Sequence, residues 1–357
     1  MKAAIVGATG IVGQQFIVAL HKHPWFEISA LVASERSAGK RYANAIRSES
    51  TGALGWYCDE EMPDEVGGMK VTSSSSIRPS NYDVIFTGVE ADVAKVLEPK
   101  YAEKTAVVST ASAFRYEEDV PVLVPGVNNA HVRLLEVQRK KRGWKGFITP
   151  IPNCTATGLA ITLKPIYDRF GINFVIMTSM QAVSGAGRNP GVLSLDVIDN
   201  VIPYIPREEE KVQRETRKIL GKLSGSSVEP ADFNVSSTCT RVNVKDGHTE
   251  SATVSTKKSC DVEDVKMAMK KWSGEISKLG LLSAPKEMIV LHDDPMRPQP
   301  RLDRNLYDGM ATSVGRLRRD DAVPNGIKYV LVSHNTKMGA AKGAVLVAEL
   351  LKKEGYL

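Results

Sequence analysis

Apolar residues in the first 150 positions fall in short continuous runs, and the stretches between them show the period of an amphipathic helix. Ala3-Ala-Ile-Val6 leads through a glycine turn into the helical pattern Gln14-Gln-Phe-Ile-Val-Ala-Leu20. Ile28-Ser-Ala-Leu-Val-Ala33, Tyr82-Asp-Val-Ile-Phe-Thr-Gly88 and Thr105-Ala-Val-Val-Ser-Thr110 follow as further apolar runs. Strands that are apolar throughout, rather than at alternate positions, are buried on both faces. Alternating with helices, they form a parallel sheet covered on both sides. The prediction is an α/β protein whose N-terminal unit is a doubly wound parallel sheet.

Beyond residue 150 the pattern changes. A helical stretch from Thr157 to Tyr167 precedes the long strand Ile172–Gln181, the turn Ser184-Gly-Ala-Gly187, and an acidic run, Glu208-Glu-Glu210, that opens a polar helix through Leu220. Later strands are longer and alternate. Arg241-Val-Asn-Val-Lys-Asp-Gly-His248 reads as a strand, a tight Asp-Gly turn and a returning strand, which predicts a hairpin holding Arg241 near His248. The small-residue stretch from Gly339 to Leu351 reads as a helix that packs back on the first unit. Expected boundaries are 1–150 for the first domain, completed by residues 335–357, and 151–334 for a second, α+β domain.

The 357 residues, 42% hydrophobic and 25% charged, describe a globular chain long enough for two cores. Cys58, Cys154, Cys239 and Cys260 show neither a disulfide framework nor metal-ligand spacing, so no metal is expected. The start at Met1 runs straight into a strand, and no apolar stretch reaches membrane-spanning length; a cytoplasmic protein without a membrane partner is expected. The net charge of +6 raises nucleic acid as a partner, but aromatics are only 6% and the basic residues form no stripe. The densest basic run, Arg139-Lys-Lys-Arg142 before Gly143, closes a helical pattern, where cations meet the negative end of the helix dipole. No nucleic-acid partner is expected; anionic small molecules account for the charge.

Gly7-Ala-Thr-Gly10-Ile-Val-Gly13 sits between the first strand and the first helix. Glycines there allow a tight turn and close approach to a pyrophosphate, whose charge then lies at the helix start; Gly7, Thr9, Gly10, Ile11 and Val12 are the candidate contacts in a Rossmann-like domain. After the second strand, Glu35 could hold a ribose diol. Ser34, Arg36 and Ser37, with Lys40 nearby, offer hydroxyls and positive charge suited to a 2′-phosphate, which favours NADP over NAD. Ser73-Ser-Ser-Ser76 reads as a solvated loop.

Pro152-Asn153-Cys154-Thr155 places a thiol among small polar residues where a helix begins. Free backbone N–H groups and the positive end of the dipole favour thiolate, so Cys154 is the candidate nucleophile.

These features together, with Gln181-Ala-Val-Ser-Gly-Ala-Gly187, Asp199-Asn-Val-Ile-Pro-Tyr-Ile-Pro206, Arg241 and Asp246-Gly-His248-Thr-Glu250, resemble the aspartate-semialdehyde dehydrogenase family along the whole chain. Arg297-Pro-Gln-Pro-Arg-Leu-Asp-Arg304 and Val332-Ser-His-Asn-Thr336 are similar to its archaeal and fungal branch. The resemblance implies that Cys154 forms a thioester with aspartyl phosphate, that NADPH reduces it, and that His248 is the acid/base while Gln181 orients the acyl-enzyme. It further implies that Arg241 binds the carboxylate, Glu208 the ammonium, and Lys211, Asn153 and Arg115 the phosphate. Ser184, Gly185, Gly187 and Asn335 would meet the nicotinamide half. A homodimer or homotetramer joined through the second, catalytic and dimerisation domain is implied as well. Thr110, Asn243 and Arg207 depart from residues frequent in the family, and none removes a catalytic group. N-acetyl-glutamyl-phosphate reductase and malonyl-CoA reductase share the cysteine chemistry, and a silent NADP-binding sensor would share the glycine turn. Glu208, an ammonium binder the first would not need, distinguishes the substrates.

Overall fold

The computed structural model describes residues 1–187 and 191–357. The first sheet is built from β1 (Lys2–Val6), β2 (Glu27–Ala33), β3 (Val71–Ser73), β4 (Val84–Thr87), β5 (Ala106–Ser109) and β6 (Phe147–Pro150). All neighbours are parallel, in the order β3-β2-β1-β4-β5-β6. Every residue of β4, β5 and β6 is buried, which is why these strands carry no alternation. The strand order reverses between β1 and β4, and a crevice opens at the carboxyl ends of strands at such a point. Gly7 makes the turn there at φ +82°, where a Cβ would stand 2.3 Å from the Gly88 carbonyl oxygen; no other residue fits.

The second sheet is mixed. Its strands are β7 (Ile172–Gln181), β8 (Val201–Ile202), β11 (Asn234–Val242), β12 (His248–Thr256), β13 (Ile289–Leu291), β14 (Thr312–Asp320) and β15 (Gly326–Ser333). The short hairpin of β9 (Lys222–Ser224) and β10 (Ser227–Glu229) stands apart. The order β13-β14-β15-β12-β7-β11-β8 corrects one expectation: Arg241 and His248 do not lie on a hydrogen-bonded hairpin, because β7 enters between β11 and β12. The ten-residue β7 pairs parallel with β11 and antiparallel with β12, gaining two full ladders where a hairpin offers one. Gly247, at φ +94°, still turns the chain into β12.

The helix Cys154–Phe170 lies across the buried face of this sheet. At Gly158 it comes so close that a Cβ would be 2.8 Å from the Ser333 Cβ. The C-terminal helix Ala341–Lys353 packs beside the helix Ile11–Leu20. Its buried Glu349 accepts the Ser283 backbone N–H at 3.0 Å and meets His23 Nε2 at 2.9 Å. The basic run does close a helix, Leu134–Arg142, which ends at Gly143 with φ +67°. Arg142 there forks onto buried Asp119 at 2.5 and 2.7 Å.

Glu98, on the helix Ala91–Ala102, fastens that helix to the ends of β4 and β5 by accepting hydrogen bonds from Thr87 Oγ1 (2.5 Å) and Ser109 Oγ (2.6 Å). Burial pushes its carboxyl up to about 7 against these bonds and the Arg115 charge. An acid raised in the folded state is stabilising below its ordinary value of 4.5, and that contribution is lost as pH rises through 7. Glu98→Gln keeps the acceptor and removes the ionisation. Urea unfolding should therefore find it more stable than the parent at pH 8, by on the order of 1–3 kcal/mol, and close to the parent at pH 5.

Candidate active site

Cys154 is the first residue of its helix, and Asn153 is the cap. The Asn153 Oδ1 accepts the Thr155 and Ala156 N–H groups at 2.9 and 3.2 Å. The cap itself is pinned twice. Its backbone N–H donates to Glu215 Oε2 at 2.5 Å, and its Nδ2 donates to Glu208 Oε1 at 2.8 Å.

Three strand ends surround the thiol. Gln181 closes β7, Arg241 lies opposite it on β11, and His248 opens β12. All three are buried. The Cys154 Sγ is 3.1 Å from His248 Nε2, and His248 Nδ1 accepts the Ala182 backbone N–H at 3.1 Å. A backbone amide can only donate, so the neutral ring carries its proton on Nε2, directed at the sulfur. The Ala182 carbonyl in turn accepts from Arg241 Nη1 at 2.7 Å.

The expectation of a resting thiolate is not met. Burial, then the Glu208 carboxylate, push the Cys154 thiol up to about 12 against the pull of Arg241, Arg115 and the Thr155 amide. Burial, with the charges of Arg241 and His334, pushes His248 down to about 3. Two helix-start N–H groups are already spent on the Asn153 cap, so the dipole is left little with which to offset the lost hydration. The site rests as neutral thiol and neutral imidazole.

Of the three glutamates in the acidic run, Glu208 faces the site, on the helix Glu208–Ile219. Its Oε1 also accepts Gln181 Nε2 at 3.1 Å, and Lys211 Nζ lies 3.7 Å from its Oε2. Glu209 instead accepts the Cys239 N–H. Arg115 pairs with Glu215 at 3.2 Å and donates Nη2 to the Thr110 carbonyl at 2.7 Å, while its buried Nε has no partner. Glu215 was not among the expected residues, yet it is fully buried and holds Asn153, Arg115 and the Tyr116 hydroxyl. Its only sequence signal is the spacing of seven from Glu208, two helix turns, which puts both on one face.

A cavity of 740 Å³ joins the nucleotide turn to this cluster. Ile11, Val12, Arg115, Asn153, Cys154, Gln181, Ser184, Gly185, Gly187, Glu208, Lys211, Arg241 and Asn335 line it. His248 sits behind Cys154, and Gly7, Thr9 and Gly10 form the turn beneath. Ser34, Arg36 and Ser37 are not brought into it; they follow β2, the first two exposed and Ser37 buried. Asn335 donates Nδ2 to Ser184 Oγ at 2.7 Å and accepts the Gly247 N–H at 2.8 Å, tying the Ser184 turn to the residue before His248.

The chain suits a dinucleotide phosphate. The helix Ile11–Leu20 starts at Gly10 with no side-chain cap, leaving its first N–H groups for a ligand. The serine patch expected to be a solvated loop is part of this end of the sheet. Ser73 is buried, and Ser73 and Ser75 both donate to Glu35, which accounts for the lowered Glu35 carboxyl. With that acid engaged, Arg36 and Lys40 are exposed cations in the segment after β2. Among the described residues no His/Cys/Asp/Glu group could hold a metal ion, and no helix is long and apolar enough to cross a membrane.

A dinucleotide sheet feeding a half-buried cysteine at a helix start and a buried histidine on a mixed sheet defines an acylating reductase. The family descriptions agree: "Semialdehyde dehydrogenase, NAD binding domain" matches residues 2–135 and "Semialdehyde dehydrogenase, dimerisation domain" matches 163–338. The aspartate-semialdehyde dehydrogenase of Methanothermobacter thermautotrophicus is 48% identical over 353 residues, 99% of each chain. That of Candida albicans is 43% identical over 373 residues, covering 100% of this chain and 99% of the relative. The Candida albicans crystal structure with NADP superposes with a TM-score of 0.88 at 41% identity, covering 100% of this chain and 99% of the other. The chain belongs to the aspartate-semialdehyde dehydrogenase family, with relatives in both the archaeal and the fungal branch.

Glu215→Ala leaves the Arg115 guanidinium and the Asn153 N–H buried without their acceptor. It should cost about 3–5 kcal/mol in urea unfolding, with Glu215→Gln intermediate. An unchanged midpoint would show that Glu215 does not anchor the helix start.

Proposed function

We infer that the protein reduces L-aspartyl 4-phosphate to L-aspartate 4-semialdehyde with NADPH, releasing phosphate, in the biosynthesis of the aspartate-derived amino acids lysine, threonine, methionine and isoleucine. The observation that carries this reading is the Cys154–His248 contact of 3.1 Å beside a cavity whose lining includes Glu208, Arg115, Arg241 and Lys211. Such a set matches a substrate with one ammonium, one carboxylate and one phosphate. The NADP in the Candida albicans structure supports the same cofactor here.

Cys154 attacks the acyl carbon and forms the thioester. Gln181, held by Glu208 and by Ser179 Oγ at 3.2 Å, orients the acyl group beside it. Bound at the Gly7–Val12 turn, with Ser184, Gly185, Gly187 and Asn335 along its nicotinamide half and Ser34, Arg36 and Ser37 at its 2′-phosphate, NADPH supplies the hydride for the thioester carbon. His248 Nε2–H then faces the oxyanion that develops on that carbon, in the manner of an oxyanion-hole donor. Arg241 takes the α-carboxylate through its planar fork. Glu208 takes the ammonium, and Lys211, Arg115 and Asn153 hold the phosphate.

Residues 1–150 with 335–357 serve as the cofactor-binding unit, and 151–334 carry catalysis and assembly. A homodimer or homotetramer is supported by the family's dimerisation domain and by Leu193, Leu195, Ile198, Val201 and Tyr204, exposed on one segment of the second domain. The free cysteines support a cytoplasmic setting.

The test is absorbance of the reduced nicotinamide with aspartate semialdehyde, phosphate and NADP, beside reactions with NAD and without phosphate. Phosphate-dependent NADPH formation is expected, and no signal with either cofactor would sink the reading. Cys154→Ser should lower turnover by roughly 10³-fold or more while NADP affinity, read by nicotinamide fluorescence, stays within about twofold. Glu208→Ala should raise KM for aspartate semialdehyde by about 10- to 100-fold; unaltered kinetics would refute the ammonium role.

A further inference from the structure

We propose that Arg207 is a further phosphate-binding residue: a cation, unpaired in the fold, that meets the phosphate dianion at the wall of the active-site cavity. The inference rests on the proposed reaction and deepens it. It starts from a local cost. The Glu208 N–H donates to the Ile205 carbonyl at 3.1 Å, closing a turn in which Pro206 is the second residue and Arg207 the third. Arg207 stands there at φ +60° and ψ 10°, the left-handed conformation that the third position of a type II turn requires and that glycine adopts without strain. It is also the residue before the first turn of the helix Glu208–Ile219, where the positive end of the dipole disfavours a cation.

No contact among the described residues offsets these costs. Arg207 is exposed, and among those residues it makes no ion pair and no side-chain hydrogen bond, not even with Glu210 three positions on. Seven described non-glycine residues have positive φ, and of these only Arg207 lines the cavity that holds Cys154. A residue that breaks two local rules without a structural partner, at the wall of a substrate cavity, marks a functional position.

The charges around it say which ligand group it serves. Of the two cations assigned to the phosphate, Arg115 lies 3.2 Å from Glu215 and Lys211 lies 3.7 Å from Glu208. Each meets the ligand with a carboxylate already beside it, and Arg241 is assigned to the substrate carboxylate. A dianion entering such a site gains little net attraction unless a further positive charge faces it. Arg207 supplies that charge one helix turn from Lys211, whose backbone N–H donates to the Arg207 carbonyl at 3.3 Å. Its planar guanidinium suits a phosphate. Glu90 and Asp92 line the same cavity, but neither pairs with Arg207.

The test is steady-state kinetics of NADPH formation from aspartate semialdehyde, NADP and inorganic phosphate with Arg207→Gly, Arg207→Ala and Arg207→Lys. Glycine keeps the turn and with it the direction of Glu208. Arg207→Gly should raise KM for phosphate about threefold to tenfold while KM for aspartate semialdehyde and for NADP stays within about twofold, and Arg207→Ala should do the same. Arg207→Lys, which retains the charge, should lose less than either. The gap between parent and Arg207→Gly should close in about 0.5 M sodium chloride, where exposed charges are screened. In urea, Arg207→Gly should unfold at or above the parent's midpoint, because the left-handed arginine is gone, and this separates binding from folding. An unchanged phosphate KM in Arg207→Gly would overturn the proposal. A loss in Arg207→Ala alone would overturn it too, by assigning the effect to the turn. Glu90→Gln combined with Asp92→Asn removes negative charge and should not raise the phosphate KM; a rise matching that of Arg207→Gly would show that Arg207 acts through those carboxylates and not on phosphate. A parent protein that forms no NADPH in this assay would instead overturn the proposed reaction, and this inference with it.

Discussion

The backbone of Ala182 is the point on which the site depends. Its N–H fixes the His248 imidazole and its carbonyl fixes the Arg241 guanidinium, so one residue following β7 orients both side chains beside Cys154. Both bonds exist because β7 runs between β11 and β12. Its last residue, Gln181, is level with Arg241 in the ladder, and Met180 faces Thr249, the residue after His248. Strand register therefore sets the spacing of the chemical groups, and register in a buried sheet is stiff, because a slip of one residue would turn every side chain to the other face.

Around that point the interior is polar but nearly neutral. Glu215 answers Arg115, Glu208 answers Lys211 and the amides of Asn153 and Gln181, and the cysteine and histidine carry no charge. Beneath them Glu250, on β12 two residues after His248, is fully buried, and neither carboxyl oxygen has a partner. Burial and the nearby Glu208 raise it well above the ordinary carboxylate range.

The two sheets meet through the helix that begins at Cys154. β6 delivers the chain to Pro150, and four residues later the nucleophile opens a helix that crosses the second sheet, so the thiol stands where the nucleotide turn and the substrate cluster share one cavity. The last helix then returns to the first sheet, with Asn335 ahead of it linking the Ser184 turn to the chain before His248.

The doubly wound sheet was legible in the chain because strands buried on both faces must be apolar throughout, and the Gly7 turn because only glycine fits against Gly88. The helix starting at Cys154 and the acidic start at Glu208 were legible for the same local reason, as caps and dipoles act within one turn. The neighbours of β7 were not, since an Asp-Gly turn reports the bend and not which strand lies beside the next. Nor were the partners of the serine patch, the role of Glu215, or the protonation of Cys154, which depend on what long-range packing brings near and on how much water it removes. Local chemistry is written in adjacent residues; charge state and hydrogen-bond direction come from residues far apart in the chain, and only the folded structure brings those together.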